Sequence, residues 1–483
     1  MADLDAVHRD LERALGPGAV TADPLTRKLY ARDASLIEGD AGLVVFPADA
    51  DQVMAAMKIA ATHGVAVVPR GSGTGLTGAS TPLNDAMVLV TSKMTRILEI
   101  RPEDRLAWVE PGVFNLDLSE ALRPTGFHYA PDPSSQQVST IGGNVNTNAG
   151  GPHCLAYGVT SAHVLALDVV LADGSLVRLG SEGPAASGYD LRGFVVGSEG
   201  TLGVVVAACV RLTPNPPAVR TMLLDFADVE ACARTVSAIV AAGVVPAALE
   251  MMDRGIVRAV EAFAHAGYPV DAAAVLLVEL DGGDAAVDAQ TAGVQAAARA
   301  NDVGTVRIAA DDAERALLWK GRKSAFGAIA RIAPHYHLHD CVVPRTKLAP
   351  ILTGIYAIAK RHGLIVTNVF HAGDGNLHPL FSFDRAVPGT LERALAAADE
   401  LVRLCVDAGG SLSGEHGIGL EKRDFMPLVF SEDSLDVQAC LREAFDPNGR
   451  MNPSKVLPDG ARCGEFAAAT IGREGALPEG TWI

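Results

Sequence analysis

Seven cysteines stand at 154, 209, 232, 341, 405, 440 and 463, and no two of them form a C-x-x-C pair. That spacing excludes a four-cysteine iron–sulfur ligand set, so an electron leaving a cofactor here must leave by another route. It reads instead as reduced thiols of a cytosolic protein, most of them serving as small buried hydrophobes. Positive charge is also in short supply. Forty Lys and Arg against 57 Asp and Glu give a net charge of −17, which argues against a nucleic-acid footprint. The start, Met1-Ala2-Asp3-Leu4-Asp5, has neither a basic region nor an apolar stretch, so no signal peptide is expected. Apolar runs such as Gly203 to Val210 are too short to cross a bilayer, and no transmembrane segment is expected. No internal repeat is visible. The expected location is the cytoplasm, with attachment to the inner face of a membrane only through a partner.

What is present is enough chain for more than one core: 483 residues, 49% of them hydrophobic. The most unusual stretch is Pro69-Arg70-Gly71-Ser72-Gly73-Thr74-Gly75-Leu76-Thr77-Gly78-Ala79-Ser80, following an apolar run that reads as a strand. Its glycines let the backbone approach a ligand closely, and its N–H and hydroxyl groups form a nest for anions. This is a diphosphate cradle. Gly73-x-Gly75-x-x-Gly78 matches the dinucleotide fingerprint, but that fingerprint needs a helix directly after the loop. Here a turn-like segment and then the apolar strand Ala86 to Val90 follow, with the helix (about Asp49 to His63) placed before the loop. No Walker lysine follows the glycines. A Rossmann unit and a P-loop are both set aside.

In chain order, a helical leader over Leu4 to Leu15 ends at Gly16-Pro17-Gly18, and Asp49 with Gln52 forms a capping box closed by Gly64. Short strands are expected near Met87, Ile97 and Trp108, then a helix from Asn115 to Leu122. Val164–Leu171 and Leu176–Leu179 form a hairpin across Asp173-Gly174, and Leu202–Leu212 is one more strand. Pro214-Asn215-Pro216-Pro217 reads as a linker. Beyond it strands alternate with helices, the long ones near Glu314–Ile332, Leu348–His362 and Leu391–Ala408, which suggests α+β layers. The turn-rich segment Asp446 to Pro453 is expected to fold back on an earlier domain.

Three further stretches carry chemistry. Pro131 to Gly151, with its core Ile141-Gly142-Gly143-Asn144-Val145-Asn146-Thr147-Asn148-Ala149-Gly150-Gly151, is expected to be a long ligand-binding loop, since glycine stabilises neither helix nor strand. His371-Ala372-Gly373-Asp374-Gly375-Asn376-Leu377-His378 and the later Glu415-His416 offer two imidazoles and a carboxylate. From spacing these are either a three-ligand site for Zn²⁺, Mn²⁺ or Fe²⁺ or a polar histidine cluster. His335, His337 and His339 alternate and would share one strand face, as a second metal site, a pocket wall or a plain polar face; pocket lining is the reading favoured for His339. Arg322, on the helix with Trp319 and Lys323, is the candidate clamp for a carboxylate, against the alternative of a solvated surface charge.

The motifs PRGSGTGLTG, GGNVNTNAGG, Tyr157-Gly158-Val159-Thr160 and Gly197-Ser198-Glu199-Gly200-Thr201-Leu202-Gly203, in this order, resemble the FAD-linked oxidases of the vanillyl-alcohol oxidase type. The resemblance is nearest to the group holding the glycolate oxidase flavoprotein subunit and the D-lactate and D-2-hydroxyglutarate dehydrogenases, and it runs from about Val44 to Val456. It implies an α+β fold in which a two-subdomain FAD-binding domain (41–215) follows a helical leader (1–40). A substrate and metal domain with an antiparallel sheet (218–425), a helical segment returning to the FAD domain (426–457) and a tail (458–483) complete it. It assigns FAD contacts to Arg70, Gly71, Ser72, Gly73, Thr74, Gly75, Gly78, Pro131, Gly142, Gly143, Asn148, Gly150, Tyr157, Gly158, Glu199, Gly203, Val205 and Asn452, with Glu199 at the adenosine end. It makes His371, His378 and Glu415 metal ligands and His416 the catalytic base; Arg322, His339 and Asn376 are the candidate substrate contacts.

The implied activity is oxidation of a 2-hydroxy acid. Leu338 and Leu380 stand where hydroxyglutarate-type relatives carry polar or basic residues, and an apolar wall rejects a second carboxylate, so glycolate or D-lactate is favoured. One departure is Ala156, where relatives often carry a basic residue; His153 invites a covalent flavin link, but the closer subgroup is usually non-covalent and an ordinary hydrogen-bonding histidine is the favoured reading. The implied partner is a separate iron–sulfur subunit, and homodimerisation is left open. A flavin-dependent transferase resembling alkyl-dihydroxyacetonephosphate synthase is the rival reading, ranked lower because that group is expected to lack HxGDGNxH; a flavin-free metal hydrolase is a third.

Overall fold

The computed structural model describes residues 3–183 and 188–459, so most of the expected tail, from 460 on, lies outside the described residues. Asp49 caps the helix Ala50–His63 by accepting from the Gln52 N–H at 2.9 Å, and Gln52 Oε1 reaches back to the Ala48 N–H. Gly64, in the left-handed region, closes the helix as its sequence suggested. This helix and Leu4–Leu15 bury one face against a small sheet. There Ala41–Val45 and Val67–Arg70 flank Ala86–Val90 in parallel, and Val20–Thr21 adds an antiparallel edge. The three parallel strands are fully or mostly buried, which is why Ala41–Val45 and Ala86–Val90 read as unbroken apolar runs.

A second, antiparallel sheet runs Ile97–Arg101, Leu106–Val109, Val204–Arg211, Val164–Val170, Leu176–Gly180, with the expected hairpin at its end. The glycine loop therefore leaves the first sheet and Glu199 enters the second, so the two sheets approach each other along these turns.

After Pro217 a large antiparallel sheet begins with Ala218–Phe226 paired to Ala274–Gly282 over nine consecutive residue pairs. Both faces are covered. Met222, Leu224 and Phe226 pack with the helices Val229–Ala241, Leu348–His362 and Thr390–Asp407, while Leu223 faces the helices Arg254–Ala264 and Asp312–Lys323. Strand period 2 sorts the same residues onto the two faces. The strand Ala248–Asp253 pairs with Ile365–His371, and this register sets Glu250 opposite His371.

The segment around 451–455 packs against the first sheet. Met451 bridges to Val67 in parallel, Asn452 N–H donates to the Val67 carbonyl at 2.7 Å, and Lys455 Nζ donates to the Thr81 carbonyl at 2.8 Å.

Three expectations are corrected. Ile141–Thr147 is a helix, not a loop: Thr140 Oγ1 accepts from Gly143 N–H, Asn146 and Thr147 bond back to the carbonyls of residues 142 and 143, and left-handed Asn148 ends it. Low propensity is overridden by packing, since a Cβ on Gly142 would lie 2.5 Å from Pro111 Cβ. The helix expected over Glu314–Ile332 breaks at Ser324, whose hydroxyl donates to the Lys320 carbonyl at 2.7 Å and competes with the backbone ladder. Cys154, Cys209, Cys232, Cys341 and Cys405 are free thiols, but Cys440 is disulfide-bonded.

Candidate active site

One cavity of about 490 Å³ lies where the glycine loop, the Ile141–Thr147 helix and the 413–417 turn converge. Its size is that of an ordinary cofactor or ligand pocket. Of the residues assigned to the cofactor, Arg70, Gly71, Ser72, Gly73, Thr74, Gly75, Gly142, Gly143, Gly150, Glu199 and Val205 line it. At Gly73, φ is +77° and a Cβ would sit 2.0 Å from Arg70 Nη2, so the loop closes only without a side chain. Arg70 itself is buried, donates to the Arg32 carbonyl at 2.8 Å and lies over the Tyr30 ring. Buried Arg70 Nε, Ser139 Oγ, Asn144 Nδ2 and Asn146 Oδ1 have no protein partner, and all four residues line this cavity. Unpaired buried polar atoms around a pocket are the mark of a polar ligand, and this set suits FAD.

Other assigned residues stand behind the wall. Asn148 Oδ1 accepts from Ser161 N–H, Pro131 accepts from Asn115 Nδ2, and Tyr157 donates to Asp281 across the junction with the large sheet. Gly78 faces Leu420, Gly203 faces Val169, and Gly158 caps a short helix. Asn452 Nδ2 donates to the carbonyls of Ala79 and Glu199 at 2.7 and 2.6 Å, tying the tail to both cofactor turns. His153 is also off the wall, held between Asp132 (2.9 Å) and Glu279 (3.3 Å), and these carboxylates raise its pKa to about 10 against the opposing effect of burial.

The histidine motif folds as a strand, a turn and a short strand, with His371 paired to Asn376. His371, His378 and Glu415 each offer one ligand atom, all within 4.8 Å of one another. Glu415 Oε1 lies 3.2 Å from His371 Nε2, 3.3 Å from His378 Nε2 and 3.8 Å from His416 Nε2. Glu250 Oε1 takes the other nitrogen of His371 at 2.7 Å, and both nitrogens of buried His378 lack a hydrogen-bond partner. A carboxylate behind one imidazole and unsatisfied nitrogens in front suit a divalent ion of the zinc, manganese or iron type. His416 stacks on His378 at 4.9 Å, and burial lowers its pKa to about 4, so the imidazole is a neutral acceptor.

Two buried carboxylates hold the turn that carries Glu415 and His416. Asp340 accepts from Ser413 Oγ at 2.6 Å and from the N–H groups of Gly414 and His416 at 3.0 Å, and Lys422 Nζ donates to its carbonyl at 2.7 Å. Those contacts, Lys422 above all, hold the Asp340 carboxyl well below the usual range although burial pushes it up. Glu199, which also lines the cavity, accepts from Ile418 and Gly419 N–H at 2.6 and 2.8 Å, so its carboxylate is engaged by this turn. Sequence reasoning missed Asp340, Lys422 and Glu250. For Glu250 a signal existed: a lone acid inside the apolar run Ala247 to Met252 must have a partner.

Arg322 is buried, with Nη2 2.5 Å from Glu250 Oε2, and it does not line the cavity, whereas its neighbour Lys323 does. Asn376 is buried beside Gly414 with Oδ1 unpaired, also off the wall. On the strand His335–Leu338 the cavity face is Tyr336 and Leu338, and His339 is not among the lining residues. Leu380 pairs with Leu338 and is fully buried.

Residues 41–180 match the FAD binding domain family, and residues 215–456 match the C-terminal domain of the FAD linked oxidases. The chain is 45% identical over 436 residues to the glycolate oxidase subunit GlcD of Escherichia coli (strain K12), covering 90% of this chain and 87% of that one. It is 30% identical over 458 residues to the D-lactate dehydrogenase of Anaerostipes hadrus, covering 92% and 96%. Among solved structures, p-cresol methylhydroxylase with substrate bound shares the fold at a TM-score of 0.79, with 17% identity over 94% of this chain and 97% of that chain. With an FAD-binding half, a matching C-terminal half and one cavity between them, the chain belongs to the FAD-linked oxidases.

Proposed function

We propose that this chain oxidises a short 2-hydroxy acid, glycolate or D-lactate, to the 2-oxo acid, with residues 41–215 gripping FAD and residues 218–425 supplying substrate and metal groups. The observation that carries the reading is that Glu415 and His416 line the same cavity as the glycine turn 71–75. Bound FAD supplies the acceptor for the α-hydrogen, which leaves as hydride. A divalent ion held by His371, His378 and Glu415 supplies a Lewis acid that makes a nearby hydroxyl more acidic.

The remaining work belongs to side chains. Neutral His416 takes the hydroxyl proton at Nε2, the nitrogen turned toward Glu415. Lys323, on the cavity wall, supplies the positive charge for the substrate carboxylate, while Arg322, held at Glu250, and Asn376 stand behind that wall. Leu338 keeps the wall apolar, which supports a substrate without a second carboxylate. The match to a chain called a glycolate oxidase subunit, and the missing iron–sulfur cysteines, support a separate iron–sulfur partner as electron acceptor.

A panel of 2-hydroxy acids in both enantiomers, with a dye acceptor, tests this. Glycolate or D-lactate should bleach the flavin and reduce the dye, chelator should abolish turnover, and His416→Gln should keep the flavin spectrum while turnover falls about 10²–10⁴-fold. A yellow protein that no 2-hydroxy acid bleaches refutes the proposal.

A further inference from the structure

Behind the strand His335–Leu338, on the face opposite Tyr336 and Leu338, stands a second group of ligating side chains. We propose that His337, His339 and Glu421 form a second divalent-cation site of the zinc type, apart from His371, His378 and Glu415. One ligand atom from each of the three lies within 4.8 Å of the others. His339 Nδ1 is 3.7 Å from Glu421 Oε1, too long for a hydrogen bond. Two ligands bound at about 2.0–2.2 Å to one ion can lie up to about 4.4 Å apart, so the spacing suits an ion between them.

His339 is 2% exposed, and neither of its nitrogens has a hydrogen-bond partner. A buried imidazole left wholly unpaired is costly, and a ligand on it removes that cost. His337 is buried beside it, with ring centroids 5.9 Å apart, and Glu421 is mostly buried. The nearby ammonium of Lys422 does not compete, because it is neutralised by Asp340, donating to its carbonyl at 2.7 Å and lying 3.4 Å from its carboxylate. Two imidazoles and one carboxylate, with a position left open, are a donor set zinc accepts readily.

The position gives the site a purpose. Strand His335–Leu338 forms part of the cavity wall through Tyr336 and Leu338, and Glu421 follows the turn that carries Glu415 and His416. None of the three proposed ligands lines the cavity. A bound ion staples the wall strand to the catalytic turn from behind, so its part is to position and not to react.

The experiment counts zinc per chain by mass spectrometry in the flavin-loaded protein, stripped with chelator and reloaded with Zn²⁺. Wild type is expected to hold two ions, His339→Gln and Glu421→Gln one each, His371→Gln one, and His339→Gln/His371→Gln none. Retention of the wild-type count by both His339→Gln and Glu421→Gln overturns the proposal, as does a wild-type count of one that His371→Gln abolishes. A count that falls with His339→Gln but not with His371→Gln keeps this site and removes the other reading. Because His339 is buried, a thermal scan supports the count: Zn²⁺ should raise the Tm of His371→Gln, and Glu421→Gln/His371→Gln should lose that rise. An unchanged rise refutes the site.

Discussion

Glu250 is fully buried and has two cationic or metal-directed neighbours, Arg322 at 2.5 Å and His371 at 2.7 Å. Glu250→Gln nearly preserves its shape but removes its charge. The Arg322 guanidinium is then left buried and uncompensated, a loss of about 3–5 kcal/mol. The neutral amide also holds His371 less firmly as a ligand of the proposed metal site, and losing such a supporting carboxylate weakens metal affinity about 10–100-fold. The two effects separate in a double variant. Glu250→Gln/Arg322→Met removes both charges and should recover most of the thermal stability, while the metal dissociation constant stays weakened. Calorimetric Zn²⁺ titration of chelator-stripped protein reads affinity, and a thermal scan reads stability. Unchanged affinity in Glu250→Gln, or affinity restored by Arg322→Met, refutes the argument that Glu250 works through His371.

Gly73→Ala places a Cβ 2.0 Å from the held guanidinium of Arg70 at φ +77°, and a left-handed alanine alone costs about 1–2 kcal/mol, so flavin affinity should fall about tenfold or more. The 450 nm absorbance per chain after gel filtration measures it, and full flavin occupancy counts against the cradle. Burial raises the Glu199 pKa to about 7 from an ordinary 4.5. The native state therefore binds more protons than the unfolded one between those values, and this group's contribution to stability falls as pH rises from about 4.5 to 7. Glu199→Gln should reduce the drop in Tm between pH 5 and pH 8, and an identical drop refutes the assignment. Leu338→Arg puts a cation on the cavity wall and should shift the kcat/KM ratio toward a hydroxydicarboxylic acid by about tenfold or more, about 1.4 kcal/mol; steady-state kinetics on both acids with no shift would free Leu338 of any part in selection.

Much of this architecture is legible in local pattern. The helices Leu4–Leu15, Asn115–Leu122 and Leu348–His362 fall at the bounds expected from sequence, because each is an amphipathic segment whose apolar face is readable locally. Gly142 to Thr147 defeats local reading because a neighbour decides it: Pro111 admits only a glycine, and side-chain amides supply the bonds that propensity lacks. The ligand triad is legible as residue types. The carboxylates that hold it are not, since Glu250 meets His371 across 121 residues and the register of two strands determines that meeting. The same limit explains why Arg322 and His339 stand off the cavity wall. A residue type and a helix or strand face can be read from spacing, whereas the partner that captures the side chain belongs to the tertiary fold.

Asp340 and Glu199 together show why the two halves must dock before there is a site at all. Residues 413–419 are a turn with little regular structure, and their N–H groups are satisfied by carboxylates from opposite halves of the chain. Asp340 fixes the end that carries Glu415 and His416; Glu199, arriving with the cofactor turns, fixes Ile418 and Gly419. Between them Gly417 takes φ +90°, and a Cβ there would stand 2.6 Å from Glu199 Oε1, so the close approach of the halves is written into that residue. Asn452 then locks the carbonyl of Glu199 from the returning tail. The distance from the His416 imidazole to the glycine turn is therefore set by backbone hydrogen bonds to buried acids and not by flexible side chains, which suits the proposed hydride transfer, a step sensitive to small displacements.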